Sequence, residues 1–378
     1  MPGPRSSTSK AKEKDVVRWC ARRLELPVAA QSQYSSRTHM LIVLIAATRN
    51  IFLETVLRSS SWLGAGHIPS PRALLYRLKE WSSEGLLERA IIHLNEEVLR
   101  EARKRRWLPP SAMAAIDYTD TQYYGKTNRG PCCRGEEKRG TTWFHRTAAL
   151  SLIIHGSRYT VAWTKVMPMM SHKAVVESLL DGAEKWVRVR LVTMDRGLYS
   201  AAVQQFLKKR GVRVIVAVPK WKREREVVAR CKGLKWIAEP WKMGGVPGWT
   251  IIVADNKWLR EELKDRREEE GYSVWLTDLP FHNDPLPFVK AYNRRWSIEN
   301  SFQEEDRLQP RTKSPDARLR FAFLLIGLVL RNLWVLLKRD YPELTTFLMR
   351  DLLHAQCSTI IEEDGPKGRR RMLSLAAG

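Results

Sequence analysis

Apolar residues recur every three or four positions from Asp15 to about Trp107, so the first third of the chain predicts helices throughout. Met40 to Leu57 is the most continuous such run. Ser70-Pro71 supplies an N-cap with proline at the first helical position, and it opens a helix over RALLYRLKEW. Residues 84–106 predict another that closes on REARKRR. After Pro109-Pro110 the period changes. Ala112 to Asp117 reads as a short apolar strand ending on an acid, with a long loop over residues 123–140 behind it. Phe144–Ile154 and Arg158–Val166 alternate as strands about His155-Gly156-Ser157. A helix over Ser171–Trp186, a strand over Val187–Met194, a helix over Leu198–Lys209 and a strand over Val212–Val218 follow.

Between Lys220 and Gly271 this core pattern stops. The segment carries Trp221, Trp236, Trp241, Trp249 and Trp258, and a charge run from Arg260 to Glu270 that is most simply a solvated helix. The strand YSVWLTDL then leads into YNRRWSIENSFQEEDR, residues 292–307. Read as a helix, this stretch puts Tyr292, Arg295, Glu299, Phe302 and Asp306 on one face. A core-facing helix fills that stripe with aliphatic residues. As a solvated face, the Arg–Glu pair would contribute only about 0.2–0.5 kcal/mol. Phe321 to Leu330 predicts a buried helix, too short to span a bilayer before Arg331 interrupts it. The end of the chain reads as a helix over ELTTFLMRDLLHAQ and a basic Lys367–Arg371 cluster.

Three strands with a hairpin, then helix, strand, helix, strand, is the order of a ribonuclease-H-like α/β core. Its βαβ part implies parallel pairing with right-handed crossovers. Ligands of such sheets gather at the carboxyl ends of the strands, where Asp117 and Asp195 both fall.

Charge adds a partner class. The chain of 378 residues has 65 Lys+Arg against 41 Asp+Glu, a net charge of +24, and such an excess favours a polyanion, first of all nucleic acid. Residues 1–108 hold 19 basic against 10 acidic side chains, and this helical third is read as a DNA-binding region with Arg72, Arg77 and Lys79 as contacts. Ordinary surface arginines on a helical domain are an equal reading of them. SSSWLGAGHIP is longer than the turn of a helix-turn-helix. Five cysteines without a Cys-x2-Cys pair indicate neither a zinc ribbon nor a disulfide framework. Their odd number fits a reducing compartment, and residues 1–14 read as a basic arm rather than a secretory signal. The expected location is cytoplasmic, with the nucleoid. No membrane partner is expected.

The Tyr-x2-Arg-x3-Glu spacing of Tyr292, Arg295 and Glu299 resembles the helix signature of DDE transposases of bacterial and archaeal insertion sequences. RW-x-IEN-x-F, TKSPDARLR at 312–320 and RNLW at 331–334 resemble the same branch. There the signature ends on a lysine seven residues after the Glu. Here Asp306 stands in that place, and Arg307 and Lys313 are the nearest bases for its phosphate-binding role. Asp117 in IDYTD and Asp195 in TMDRGLYS resemble the first and second acids of the family, with Asp120 as a rival for the first.

The resemblance covers residues 109–340 and implies a ribonuclease-H-like catalytic core with an insertion domain at 221–271, between a helical N-terminal region and a C-terminal segment over 341–378. It implies Asp117, Asp195 and Glu299 as catalytic metal ligands for two Mg²⁺ ions, replaceable by Mn²⁺, with Tyr292 and Arg295 positioning the Glu and the DNA backbone. The activity implied is cutting of DNA at the ends of an insertion element and joining of the 3′-hydroxyls to target DNA, by a homodimer that pairs the ends. A tryptophan of the insertion could stack on a flipped base. The bland roles are a cap for Asp195, a turn for Asp120, an Arg–Glu pair for the helix and packing for each tryptophan, while His145, His155 and His172 read as structural. A retired, DNA-binding descendant and a nuclease of the same fold remain open. If about six to ten phosphates are neutralised, affinity for duplex DNA is expected to fall roughly 10³–10⁵-fold between 50 and 200 mM salt. A gel-shift titration checks this, and a flat response would count against nucleic acid as the partner.

Overall fold

In the computed structural model of the chain, residues 16–28, 32–62, 68–125, 131–154, 157–263, 271–295, 304 and 306–364 are described. The basic arm, His155, Trp296, Glu299, Phe302 and the Lys367–Arg371 cluster lie outside them. Two units make up the chain. Met1–Arg105, Tyr123–Pro131 and Ser301–Gly378 form a helical one, and Arg106–Gln122 with Cys132–Asn300 form one built on a sheet.

The helical unit begins with α1 (Val16–Arg23), α2 (Ser36–Arg49), α3 (Leu53–Trp62), α4 (Pro71–Ser83) and α5 (Leu86–Lys104). Ser70 caps α4 by accepting from Ala73 N–H at 3.2 Å, and Pro71 opens it. The Met40–Leu57 run is two helices rather than one. Asn50 takes a left-handed conformation (φ 53°) and its N–H closes the end of α2 on Ala46 and Ala47 carbonyls. Asparagine is among the few residues that do this cheaply.

Further along the chain come α6 (His172–Glu184), α7 (Ala201–Lys209), α8 (Lys222–Arg230), α9 (Asn256–Leu263) and α10 (Leu286–Asn293) of the sheet unit. The helical unit then closes with α11 (Ala317–Asp340) and α12 (Thr346–Asp364). By length and composition α11 could cross a membrane, yet it is mostly buried, packed against α4 and α5. It carries polar groups into that core: Asn332 Nδ2 donates to Asn95 Oδ1 on α5 at 2.8 Å, and buried Arg331 reaches Glu304 at 3.4 Å. α12 packs on α2 and α1, where Gln356 Oε1 accepts the N–H of Val17 at 3.0 Å.

The sheet unit has nine strands among its described residues: β1 (Ser111–Gln122), β2 (Cys133–Lys138), β3 (Thr141–Ile154), β4 (Ser157–Val166), β5 (Arg188–Met194), β6 (Arg213–Ala217), β7 (Trp236–Met243), β8 (Val246–Asp255) and β9 (Tyr272–Thr277). The order runs β2-β3-β1-β5-β6-β9-β8-β7, with β4 also beside β3. β1, β5 and β6 are parallel neighbours, and β3 is antiparallel to β1. The architecture is mixed α/β.

Three local expectations change. β1 runs on to Gln122, because residues past Asp117 pair with β3 and find polar partners there. Part of the expected loop is a strand, since Cys133–Lys138 forms a hairpin with β3. Its turn, Arg139-Gly140, has φ of 52° and 77°, the doubly positive geometry that suits hairpin twist. The segment 221–271 supplies β7 and β8, which pair with each other and extend the sheet through β9.

The aromatic ring of Phe323 on α11 is fully buried. Phe323→Ala is therefore expected to cost about 3–5 kcal/mol, read as a lowered urea midpoint by circular dichroism.

Candidate active site

β1 and β5 stay paired through Ile116↔Met194. Asp117 and Asp195 are each the next residue, so the two carboxylates leave neighbouring parallel strands at the same level, with the strands about 4.8 Å apart. Along β1 the side chains alternate. Asp117 shares a face with Thr119 and Thr121, whereas Tyr118 and Asp120 point the other way.

That alternation separates the rival acids. Asp120 is a strand residue directly opposite Arg146 of β3, which binds both its oxygens at 2.8 and 2.9 Å. The same guanidinium lies 5.4 Å from the Tyr118 ring. Tyr118 OH in turn lies 2.8 Å from His172 Nδ1. Burial, aided by Arg146, lowers the His172 pKa. His145 sits on the Asp117 face, 3.8 Å from Cys132 Sγ.

Asp195 has extended backbone and makes no side-chain capping bond. Its carbonyl closes the short 3₁₀ turn Arg196–Leu198 by accepting Leu198 N–H at 2.9 Å. The next helix, α7, is capped instead by Ser200, which accepts Val203 N–H at 3.3 Å. The capping role is thereby filled, and the Asp195 carboxylate stays available beside Asp117.

Asp117 is held from both sides. Its Oδ1 accepts the Tyr118 N–H at 2.8 Å, and its Oδ2 accepts from Arg295 Nη1 at 2.7 Å. The two side chains are 14% and 10% exposed. Arg295 was expected to sit within a helix running from Tyr292 and to position Glu299, which lies outside the described residues. Instead α10 starts at Leu286, after Asp284 accepts that residue's N–H at 2.9 Å. It ends at Asn293, and Arg295 lies in the turn that follows.

α10 is fixed by its apolar side. Val289 packs with Ile215, Ile252, Trp258 and Trp275, and Tyr292 borders that cluster. The Tyr292 ring meets Trp275 edge-on at 6.0 Å and lies 5.3 Å from the Arg295 guanidinium carbon. Burial pushes the Tyr292 phenol up to about 12. Arg295 opposes that rise, while the charges of Asp195 and Asp117 add to it. One phenol, one guanidinium and two carboxylates thus share a half-buried space where the parallel pairing of β1 and β5 ends.

The remaining candidate contacts are dispersed. Arg72 and Lys79 lie exposed on α4, seven residues apart and therefore on one stripe. Tyr76, 69% exposed, lies between them, and sequence reading had no reason to single it out. Arg77 is instead bound to Glu80. Arg307 is exposed, as is Lys313, which lies 5.6 Å from the Phe52 ring. Asp306, in the place of the family lysine, is exposed. Of the five tryptophans of 221–271, Trp221 is open at 58%, against the Tyr199 ring at 5.6 Å. Trp241, Trp249 and Trp258 are core residues.

Residues 169–333 match the profile of the transposase DDE domain. That supports a DDE transposase family, and the matched stretch includes Asp195 and the position of Glu299. A cryo-EM structure of a piggyBac transposase synaptic complex with hairpin DNA is similar in fold. It has a TM-score of 0.58 and 13% identity over 98% of this chain and 82% of that one. No curated protein matches the sequence. The likeness to the solved structure is one of fold.

DDE transposases use divalent metal ions. The described part of the donor set is two carboxylates, the oxygen ligands that hard cations prefer. Among the described residues no group of three or more metal-binding side chains gathers, the third expected acid, Glu299, being outside them. Two carboxylates at one level, half-buried and open to solvent on one side, are a donor set that fits such an ion.

The phenol gives a testable consequence. A folded-state pKa raised above the usual 10 contributes stability that is present below pH 10 and lost as pH rises towards 12. Ultraviolet titration should show one late-ionising tyrosine that Tyr292→Phe removes.

Proposed function

We propose that the chain is a DNA transposase that cuts at the ends of an insertion element and joins the freed 3′-hydroxyls to target DNA. The observation that carries this reading is the pair of carboxylates, Asp117 and Asp195, leaving adjacent parallel strands at one level. The strand order β4-β3-β1-β5-β6, with β3 antiparallel to its neighbours, supports a ribonuclease-H-like core beneath them. The match to the transposase DDE domain and the net charge of +24 support the same substrate class.

Asp117, Asp195 and Glu299 would hold two Mg²⁺ or Mn²⁺ ions. Bound there, such ions supply activation of a water or 3′-hydroxyl and neutralise charge on the leaving oxygen. The protein's own groups prepare the site. Arg295 fixes the rotamer of Asp117 and offsets the cost of holding two like charges at neighbouring positions. The Tyr292 phenol, neutral at physiological pH and held beside Arg295, is a hydrogen-bond donor suited to a phosphate oxygen. Trp275 and Val289 hold α10, and with it both groups, against the sheet. Rigid placement of this kind is what an in-line displacement requires. Work as a homodimer on paired ends, in the cytoplasm with the nucleoid, belongs to the same reading.

The test is cleavage of DNA carrying the element's own ends, with Mg²⁺ or Mn²⁺. Asp195→Asn and Glu299→Gln should each lower cutting by roughly 10³-fold or more, since metal-ion catalysis is worth several kcal/mol, while leaving DNA binding in place. Undiminished cutting by either variant would remove that residue from the site. Tight binding without cutting by the wild type would leave a DNA-binding protein of this fold.

A further inference from the structure

Away from the carboxylates, the helical unit gathers cations. Three segments distant in sequence are tied together at the end of α2. Arg350 of α12 donates its Nε to the Thr48 carbonyl at 2.6 Å. Asn50 donates to the carbonyl of Asp306, and Arg311 donates to the Asn50 side chain. Arg311 N–H also binds the Ile51 carbonyl at 3.1 Å. These bonds bring Arg49, Arg307 and Arg350 together, and His354 lies one turn beyond Arg350 on the same face of α12.

The cluster is short of negative charge. Arg49, Arg307, Arg350 and His354 form no ion pair among the described residues, and Asp306 and Asp351, the nearby acids, are both exposed. Burial lowers the Arg350 pKa; Asp351 opposes that fall, and repulsion from Arg307 and Arg49, each weaker than Asp351, adds to it. His354 is lowered in the same way by burial and Arg49. A cation at the carboxyl end of a helix is favourable in itself, which accounts for the Nε of Arg350. It does not account for three guanidinium groups, each with five donors.

We propose that Arg49, Arg307 and Arg350, with His354, form a binding site for a phosphate group of a nucleic-acid backbone. Guanidinium forks match two phosphate oxygens at once, and an arriving anion relieves the mutual repulsion of the cluster. Arg307 follows Asp306, so a base enters this anion site directly beside the position where the family signature carries lysine. The choice of DNA as the ligand rests on the proposed function. The preference for an anion rests on the cluster alone.

The experiment uses the full chain without divalent metal and measures affinity for a DNA duplex over a range of salt. Arg49→Gln with Arg307→Gln changes exposed side chains and spares the helix-capping Arg350. The double variant is expected to bind roughly 10–100-fold more weakly, with a salt slope lower by about two, at an unchanged melting temperature. A folded double variant with the wild-type slope would overturn the site. Inorganic phosphate at millimolar concentration should leave the wild-type melting temperature unaltered while duplex raises it. If phosphate alone raised it in the wild type and not in the variant, the ligand would be free phosphate and the backbone assignment would fail. Failure of the proposed function looks different: the expected slope change would be seen, but metal would bring no cutting.

Discussion

One charge-assisted hydrogen bond, from Arg295 to Asp117, joins the beginning and the end of the sheet unit. Breaking a pair buried to this degree strands a charge and costs about 3–5 kcal/mol, far more than a surface pair contributes. The bond can form only if α10 lies flat on the sheet. That in turn requires the apolar surface offered by β6, β8 and β9. Tyr292 is placed by the same packing, through Trp275. Geometry at the two carboxylates is therefore set by a hydrophobic contact made by strands that carry none of the site's own acids.

The opposite face of β1 shows how polar groups are kept from competing. Arg146 takes up both oxygens of Asp120, and His172 takes the Tyr118 hydroxyl. Each of these groups is satisfied locally, so Asp117 is the acid of β1 left to face Asp195. Alternation along the strand does the sorting.

Much of this was legible in the chain. Apolar runs ending on Asp117 and Asp195 marked where the parallel pairing of β1 with β5 stops, although β1 itself runs on, and Ser70-Pro71 marked the start of a helix, because these signals are local. The partner of Arg295 was not legible. Helical spacing set Glu299, four residues on and outside the described residues, on its face, and gave no sign of a bond that reaches back 178 residues to Asp117. Periodicity carries no information about such a separation. Cys133–Lys138 was hidden for another reason: its glycine and charges read as loop, and the Arg-Gly turn lacks the usual Asn-Gly or Asp-Gly of a tight hairpin. Aromatic content likewise flagged five tryptophans equally, and only tertiary packing distinguishes the open Trp221 from those in the core. The Arg49–Arg307–Arg350 gathering comes from three separate segments and has no sequence signal.

The 178-residue span also has a meaning in time. At about 5–20 residues per second of synthesis, Asp117 leaves the ribosome roughly 10–35 s before Arg295 does. β1, β3, β4, β5 and β6 can pair during that interval, but their two carboxylates then lie side by side without a counter-ion. The helical unit waits longer still, since α5 acquires its partner α11 only near the end of the chain. A nascent molecule of this protein therefore has its two aspartates in place well before it has the arginine that orders Asp117.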